Sequence, residues 1–308
     1  MSEVQVSYHP DLASIARWIP RALVRRWTIP LMSTAYAVTT AFAKGGTRVD
    51  LDTTSVWVYR PTNAAAPQPG PAILWLHGGG MLLGDAREHQ DGNQRLADEL
   101  GIPVVSVQYR LSKTSAFPAG LDDCMQALYW IAQQEDVDPR LIVVMGVSGG
   151  GGLAAQVAQR ATAEGKVVPC LQVLVYPMLD DRSSDAEHPH AAWYKTWDTV
   201  SNRLAWDRYL AGHDRGTPPR FAVPSRASSL RGLPPAWLGV GTLDLFHAEG
   251  TRYAERLEAD GVPTELVVVD GGFHGFDVFA TDAPVTAAFH ASQTAAMRAR
   301  WAELGWAV

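Results

Sequence analysis

The stretch VVMGVSGGGGLAAQVA, residues 143–158, decides the fold of this chain. An apolar, β-branched run leads into a serine and several glycines, and an alanine-rich segment with the composition of a helix follows. Gly146, Ser148 and Gly150 fit the pattern G-x-S-x-G, in which a serine occupies a sharp turn between a strand and a helix. Flanking residues without side chains let the strand and the helix approach each other. The pattern predicts that the Ser148 hydroxyl is presented above the end of a sheet.

A glycine-rich nucleotide-binding loop is the main alternative for this stretch. The lysine of a phosphate-binding loop is missing, however, and no G-x-G-x-x-G follows the first strand with an acidic residue at the expected distance. We therefore interpret the serine as a nucleophile presented by the bend.

The rest of the chain alternates between strand-like and helix-like patterns. Helical periodicity occurs at residues 90–100, 121–134, 150–164, 248–260 and 286–304, and PTNAAAPQPGP at 61–71 is predicted to be a loop. Nearly continuous apolar runs between them are typical of strands buried on both faces of a parallel sheet. The pattern predicts an α/β fold with a mostly parallel central sheet flanked by helices. The predicted strands are SVWVYR, AILWLH, VVSVQY, LIVVMGV, LQVLVY, AWLGVG and ELVVVD.

Two segments interrupt this alternation, residues 1–45 and residues 181–221. We expect N-terminal helices in the first and an insertion in the second to form a helical cap over the sheet. The α/β core then comprises residues 46–180 and 222–308. In the alternative interpretation, the tryptophans of the two segments only pack them onto the core, as large aromatic side chains mostly do. These tryptophans are Trp18, Trp27, Trp193, Trp197 and Trp206.

The composition limits the class of protein. The chain has 308 residues, 47% of them hydrophobic, and a formal net charge of -6, which argues against a nucleic-acid partner because such proteins need a basic surface. Cys124 and Cys170 lie in apolar contexts and outside any C-x-x-C pair, which favours a reducing cytoplasm over a disulfide framework or a thiolate zinc site. No stretch reaches the roughly 18 apolar residues of a membrane span.

Residues 25–46 allow a second interpretation, because two arginines precede a mildly apolar run that ends in Ala-Phe-Ala. This resembles an export signal. The preceding stretch is long and carries Glu3 and Asp11, and the apolar run is diluted by serine and threonine. We favour a pair of amphipathic N-terminal helices broken by Pro20 and Pro30.

The stretch LWLHGGGMLLGD, residues 74–85, supplies a second glycine cluster directly after a strand. Consecutive glycines are entropically costly, but they let peptide N–H groups approach an oxyanion. We expect donors from this cluster and from the residue after the serine to form an oxyanion hole. His77 is expected to order the loop through hydrogen bonds and not to act as a base. The candidate donors are Gly78, Gly79, Gly80 and Gly149.

A general base and its orienting acid are found near the C-terminus. His274 lies among glycines in VVVDGGFHGFDVF, after an apolar strand, and Asp244 directly follows the strand AWLGVG. The chain order Ser148, Asp244, His274 is the order of a hydrolase triad on an α/β sheet. Glu249 and Asp270 are weaker alternatives for the acid, and Asp244 also has the position of a helix cap.

Together these motifs resemble the bacterial branch of the hormone-sensitive-lipase-like esterases. The similarity covers roughly residues 70–305 and includes HGGG, GVSGGG, LRGLPPAWLGVGTLDLFHAEG, FHGF and the segments QYRL and FPAGLDDC. It implies an α/β-hydrolase fold, a cap built from the N-terminus and an insertion, and ester cleavage without a cofactor or a metal. On this resemblance Ser148 is the nucleophile, Asp244 the acid and His274 the base, with two of Gly78, Gly79 and Gly80 joining Gly149 as oxyanion donors.

The chain departs from the family pattern at several positions. Val147 stands where the family often has an acidic residue, Gly149 where it usually has alanine, and Asp-Leu-Phe-His-Ala-Glu replaces Asp-Pro-Leu-Arg-Asp-Glu. The glycine variants are closer to the brefeldin A esterase branch. No departure removes a triad member, so they bear on substrate preference.

The expected function is hydrolysis of short to medium, apolar carboxylic esters through an acyl-serine. A lactonase, an amidase or a long-chain lipase on the same triad, and a non-catalytic ligand receptor on the same fold, are the alternatives. The expected partner is a small-molecule ester. Family members are often homodimers, but the sequence carries no dimer signature.

Overall fold

A computed structural model of the protein describes residues 6–63 and 69–306. Parts of three predicted segments therefore lie outside the described residues. These parts are the first five residues of the N-terminal segment, residues 64–68 of the loop at 61–71, and the last two residues of the core.

One eight-stranded sheet forms the centre of the described structure, in the order β1-β2-β4-β3-β5-β6-β7-β8. The pairs β1–β2 and β2–β4 are antiparallel and all other pairs are parallel, which confirms the predicted α/β-hydrolase architecture. The strands are β1 (Thr47–Asp50), β2 (Ser55–Tyr59), β3 (Gly70–Leu76), β4 (Val104–Val107), β5 (Val137–Val147), β6 (Leu171–Val175), β7 (Ala236–Leu243) and β8 (Thr264–Phe273).

The central strands form where the apolar runs predicted them. All residues of β3, β4 and β6 are buried, as expected for strands covered on both faces. Strand β1 was not predicted, because its four residues are largely exposed at the edge of the sheet and carry no apolar run. Nearly continuous apolar runs therefore identify the central strands of the fold.

Helices cover the sheet in the predicted alternation. Helix α5 packs on β5 and β6, α7 on β7, and α9 on β6 and β7, where the indole N–H of Trp301 donates to the Leu141 carbonyl at 3.0 Å. None of the described helices combines the length and the hydropathy that crossing a membrane requires. The helices are α1 (Ala13–Ala16), α2 (Ile29–Ala41), α3 (Gln90–Leu100), α4 (Ala119–Ile131), α5 (Gly149–Glu164), α6 (Thr199–Tyr209), α7 (His247–Ala259), α8 (Phe276–Phe279) and α9 (Pro284–Glu303).

The expected pair of amphipathic N-terminal helices is wrong in two respects. Pro30 does not separate two helices, because it lies in the first turn of α2, where its missing N–H costs no intrahelical bond. Helix α2 also exposes apolar side chains such as Leu31 and Val38 while it buries Thr40. Since Ile29, Met32 and Tyr36 pack against the core, apolar side chains lie on both sides of the helix, and it is not amphipathic.

The N-terminal segment and residues 181–221 are hydrogen-bonded to each other. The Leu23 amide donates to the Thr196 carbonyl at 3.0 Å, and the Thr196 amide donates to the Pro20 carbonyl at 2.9 Å. The Arg25 guanidinium binds the Asp198 carboxylate with both nitrogens. These bonds agree with a shared cap, whose boundaries stay a prediction.

The tryptophans of these two segments have different environments. Trp197 and Trp206 are buried and Trp193 is half-buried, as the packing interpretation expects. Trp18 and Trp27 are 83% and 77% exposed, so packing onto the core does not explain them.

Candidate active site

Ser148 lies at the predicted bend between β5 and α5. Its φ of 56° falls in the left-handed region, which is strained for a residue with a side chain and typical of functional turns. A Cβ on Gly146 would lie 2.1 Å from the Gly150 carbonyl oxygen, and a Cβ on Gly150 would lie 2.1 Å from the Leu76 carbonyl oxygen. Only glycine fits at these two positions, which explains the G-x-S-x-G pattern.

Three side chains that are distant in sequence form one hydrogen-bonded chain. The Ser148 Oγ lies 2.9 Å from the His274 Nε2, and the His274 Nδ1 lies 2.8 Å from the Asp244 Oδ2. All three residues are buried, and each follows a different strand at the carboxyl end of the sheet. Because Nδ1–H donates to the carboxylate, the Nε2 lone pair is free to accept the serine proton.

The glycine loop after β3 lies against this bend. A Cβ on Gly149 would come within 2.7 Å of the Gly80 Cα, so the two backbones are nearly in contact. Gly79 and Gly80 have φ of 95° and 63°. Among the described residues, no hydrogen-bond acceptor is paired with the backbone N–H of Gly78, Gly79, Gly80 or Gly149. The structure thus brings together the predicted donors, with their N–H groups available to a ligand.

Residues 73–278 match the family model described as alpha/beta hydrolase fold. The chain belongs to this α/β-hydrolase family.

Esterases are among the relatives of this α/β-hydrolase. It is 36% identical to esterase LipI of Mycobacterium tuberculosis and 32% identical to ethyl acetate hydrolase of Pseudomonas putida. In both cases the match covers 74% of this chain and 72% of the relative. The solved structure of a bacterial heroin esterase superposes with a TM-score of 0.81 at 31% identity, and the match covers 96% of this chain and 98% of the other. The expected membership among hormone-sensitive-lipase-like esterases is confirmed, whereas the brefeldin A branch stays a prediction.

The two alternative acids of this α/β-hydrolase lie away from the imidazole. Asp270 is exposed and accepts a hydrogen bond from the Thr242 hydroxyl at 3.2 Å. Glu249 is fully buried, accepts from the Leu179 amide at 2.6 Å and bonds the Ser183 hydroxyl. Burial raises the pKa of Glu249 to about 8, so its carboxyl group is largely neutral at pH 7. Of these three carboxyl groups, only that of Asp244 is bonded to the imidazole.

Asp244 is itself fixed by the backbone of the following turn. Its Oδ1 accepts from the Phe246 amide at 2.9 Å, so the carboxylate bonds the start of α7 and the imidazole at once. The helix-cap interpretation of Asp244 and its contact with His274 are thus compatible.

His77 orders the glycine loop, as expected. Its ring stacks on Tyr109 with centroids 4.1 Å apart, and its Nδ1 donates to the Gly78 carbonyl at 2.9 Å. Complete burial lowers the pKa of His77 to about 4, which keeps the ring neutral.

Several residues around His274 were not found by sequence reasoning. The Tyr176 ring packs on the imidazole edge-to-face at 4.8 Å, and the Tyr176 hydroxyl donates to the Asp277 carboxylate at 2.8 Å. The Thr196 hydroxyl donates to the His274 carbonyl at 2.9 Å. The only sequence signal for Tyr176 was its place at the end of the apolar run LQVLVY. Nothing in the sequence signals the contact from Thr196.

Trp197 brings the segment 181–221 to the site. A Cβ on Gly80 would lie 2.3 Å from the Trp197 ring, and that ring lies 6.5 Å from the His274 ring between centroids. An apolar wall therefore stands beside both the glycine loop and the imidazole. In the described part of the chain, no group of three or more His, Cys, Asp or Glu side chains is placed to hold a metal ion.

Proposed function

We propose that this α/β-hydrolase is a serine carboxylesterase that cleaves short to medium, apolar esters, with Ser148, His274 and Asp244 as its catalytic triad. The observation that carries the proposal is the unbroken hydrogen-bonded chain from the Ser148 hydroxyl through the imidazole to the Asp244 carboxylate. The relatives named esterase and ethyl acetate hydrolase support the same reaction class.

The geometry suits acyl transfer in two steps. His274 Nε2 takes the proton from Ser148 Oγ as this oxygen attacks the ester carbonyl carbon, and a tetrahedral intermediate forms. The imidazolium then protonates the departing alcohol oxygen, which leaves an acyl-serine. His274 next takes a proton from water, the hydroxyl attacks the acyl carbon, and the proton returns to Ser148 as the acid is released. Asp244 holds the imidazole in one orientation and stabilises its charge.

Unpaired amide N–H groups stabilise the oxyanion in both steps. The donors come from Gly149 and from two of Gly78, Gly79 and Gly80. Such donors act in a site closed to water, where one of them lowers the barrier by about 3 kcal/mol. The reaction requires no cofactor and no metal.

The substrate preference follows from the walls of the site. Trp197 stands beside Gly80 and His274, so the acyl or alcohol group beside the reacting carbon meets an indole ring. An apolar group suits this environment, and we propose that it is short to medium in length. Lactones, amides and long-chain esters are the competing substrate classes for the same triad.

Ser148→Ala tests the proposal against a panel of substrates. The wild type should hydrolyse p-nitrophenyl acetate and butyrate faster than the palmitate ester, a lactone or an anilide. Ser148→Ala should reduce ester turnover at least 10⁴-fold. The matched control is Ser55→Ala, because Ser55 is about as buried as Ser148 but lies in β2. Unchanged turnover in Ser148→Ala would overturn the assignment, and a faster lactone or anilide would change the substrate class.

Labelling with an organophosphate separates the enzyme from a receptor on the same fold. The reagent should modify Ser148 in the wild type and not in His274→Ala, since the serine needs the base to react. A wild-type protein that is not labelled would favour a receptor.

We also place the protein in a reducing, cytoplasmic compartment, because Cys124 and Cys170 are both buried free thiols. The homodimer implied by the resemblance stays a prediction, which sedimentation equilibrium can test.

A further inference from the structure

The N-terminal segment carries an unusual concentration of exposed apolar side chains. Among the described residues, the four most exposed large apolar side chains all lie between residues 18 and 42. Their exposed fractions are 83% for Trp18, 77% for Trp27, 77% for Phe42 and 69% for Leu31. Single exposed apolar residues are ordinary on a protein surface, but a contiguous set marks an interaction site.

Three of these four side chains, those of Trp27, Leu31 and Phe42, lie on α2 or at its ends. Leu31, Ala35, Val38 and Phe42 are exposed and follow one another at spacings of four, three and four residues, which places them on one side of a helix. Trp27 extends the same spacing by one turn. We call these five residues the outer stripe. It is about 20 Å long at 1.5 Å per residue.

The opposite side of α2 faces the protein and carries both apolar and polar side chains. Thr40 is buried and its hydroxyl bonds the Tyr36 carbonyl at 2.7 Å and the Arg87 guanidinium at 3.3 Å. Tyr36 is half-buried. Ile29, Met32 and Tyr36 on this side pack against the core, whereas the residues of the outer stripe are exposed and are left for another contact.

In the segment of sequence that carries the outer stripe, the only charged residues are positively charged. Residues 12–49 contain six of the 26 Lys and Arg residues and none of the 32 Asp and Glu residues, so the acidic excess of the chain lies wholly elsewhere. Arg26 directly precedes Trp27, and Lys44 follows Phe42 by two residues. Both cations are exposed, and neither forms a salt bridge with any described residue.

We propose that the outer stripe is a docking surface for an anionic lipid membrane. A helix with Trp, Phe and Leu on one face and cations at its ends lies in the interface of such a membrane with its apolar face inserted. Each Lys or Arg near an anionic leaflet adds attraction, and tryptophan is favoured at the level of the headgroups. The helix binds at the surface of the bilayer and does not cross it.

A second copy of the chain is a poorer occupant of the same face. A two-fold contact through the outer stripe would bring Arg26 and Lys44 of one subunit close to the same cations of the other. Like charges at a protein interface oppose association, whereas anionic headgroups neutralise them.

The position of the outer stripe relates membrane docking to the active site. Thr196 pairs its backbone with Leu23 and Pro20, which lie just before the stripe, and its hydroxyl binds the His274 carbonyl. A docked protein would therefore hold the covering segment of its active site close to the lipid surface. Apolar esters partition into that surface, so docking would raise their concentration near the triad.

Vesicle sedimentation tests the proposal directly. The wild type is incubated with vesicles of phosphatidylcholine and phosphatidylglycerol in equal parts, or of phosphatidylcholine alone, at low and at high salt. We expect at least tenfold stronger partitioning to the anionic vesicles at low salt, and a marked loss at high salt. Equal or absent binding to the two vesicle types at low salt would overturn the proposal.

Two double variants test whether vesicle binding depends on the outer stripe or on any exposed apolar side chain. Trp27→Ser with Phe42→Ser should reduce anionic-vesicle partitioning at least tenfold, since two large apolar side chains are lost. Val200→Ser with Leu304→Ser replaces two exposed apolar side chains outside the outer stripe. This control variant should reduce anionic-vesicle partitioning less than twofold. Both variants should keep the wild-type turnover of p-nitrophenyl acetate without vesicles, which also shows that they fold. Partitioning of the stripe variant equal to that of the wild type would refute the docking surface. The proposal would also be refuted if the wild type were a dimer and the stripe variant a monomer, because the stripe would then bind a second copy of the chain.

Discussion

Replacing Asp244 by asparagine exchanges one carboxylate oxygen for an NH₂ group, and the structure indicates which way the new amide must face. Asp244 Oδ1 accepts a hydrogen bond from the Phe246 amide at 2.9 Å, so the asparagine oxygen has to stay at that position. The asparagine NH₂ group then faces the His274 Nδ1, which lies 2.8 Å from Asp244 Oδ2 in the wild type. An N–H donor there requires Nδ1 to be an acceptor, so the ring proton moves to Nε2.

The consequence for catalysis is large because Nε2 is the atom that must accept the serine proton. With Nε2 protonated, the imidazole donates toward Ser148 Oγ and cannot act as its base. The corresponding tautomer error in a serine protease lowers kcat about 10⁴-fold, which corresponds to about 5.4 kcal/mol at 1.36 kcal/mol per factor of ten. We expect the same magnitude here, with little change in KM, since Asp244 is buried behind the imidazole.

Steady-state hydrolysis of p-nitrophenyl butyrate measures this effect. Asp270→Asn is the matched control, because Asp270 is an exposed carboxylate four residues before His274 that is bonded to Thr242. The control should keep wild-type turnover, and a melting temperature near that of the wild type should show that Asp244→Asn is folded. The reasoning is refuted if Asp244→Asn retains more than about a tenth of the activity, or if Asp270→Asn loses as much.

Three further results are expected. Gly80→Ala and Gly101→Ala both place alanine at a positive φ, but only the Gly80 substitution puts a Cβ 2.3 Å from the Trp197 ring. Gly80→Ala should therefore lower kcat about 10²-fold. Gly101→Ala, whose Cβ meets open space, should leave kcat unchanged. The buried Glu249 holds a proton up to pH about 8, whereas the unfolded chain releases it near pH 4.5, so wild-type stability should fall across this window. The melting temperature of Glu249→Gln, which keeps a neutral partner for Ser183, should therefore rise relative to the wild type between these pH values; a constant difference would contradict the assignment. Finally, EDTA should leave ester turnover unchanged, since the proposed acyl transfer uses only side chains and amides, and a loss that added metal restores would count against it.

Sequence patterns predicted those parts of the fold and the site that depend on interactions between residues close together in the chain. The apolar runs identified the buried strands, because a strand covered on both faces is mostly apolar. Gly146 and Gly150 indicated the bend, because no Cβ fits beside the adjoining backbone. Strand β1 escaped prediction, since an exposed edge strand of four residues needs no apolar pattern.

Contacts between distant segments could not be predicted in the same way. Thr196 reaches the His274 carbonyl and Tyr176 packs on its ring only because the sheet brings their strands and loops together. Helix α2 was expected to be amphipathic, but it carries apolar side chains on both its buried and its exposed side. Periodicity in a sequence identifies a face of a helix, but it does not say what that face contacts.

The three reactive side chains follow β5, β7 and β8, and hydrogen bonds between parallel strands fix the distances among these strand ends. The two segments predicted to form the cap, residues 1–45 and 181–221, contain none of these three side chains, but the second contributes Trp197 to the site. The residues proposed to react thus come from the sheet, and a residue proposed to contact the substrate comes from a predicted cap segment. Exchanging the predicted cap segments between homologous enzymes, with the Thr196 bond to His274 retained, is therefore a practical way to alter the substrate range while the catalytic residues stay unchanged.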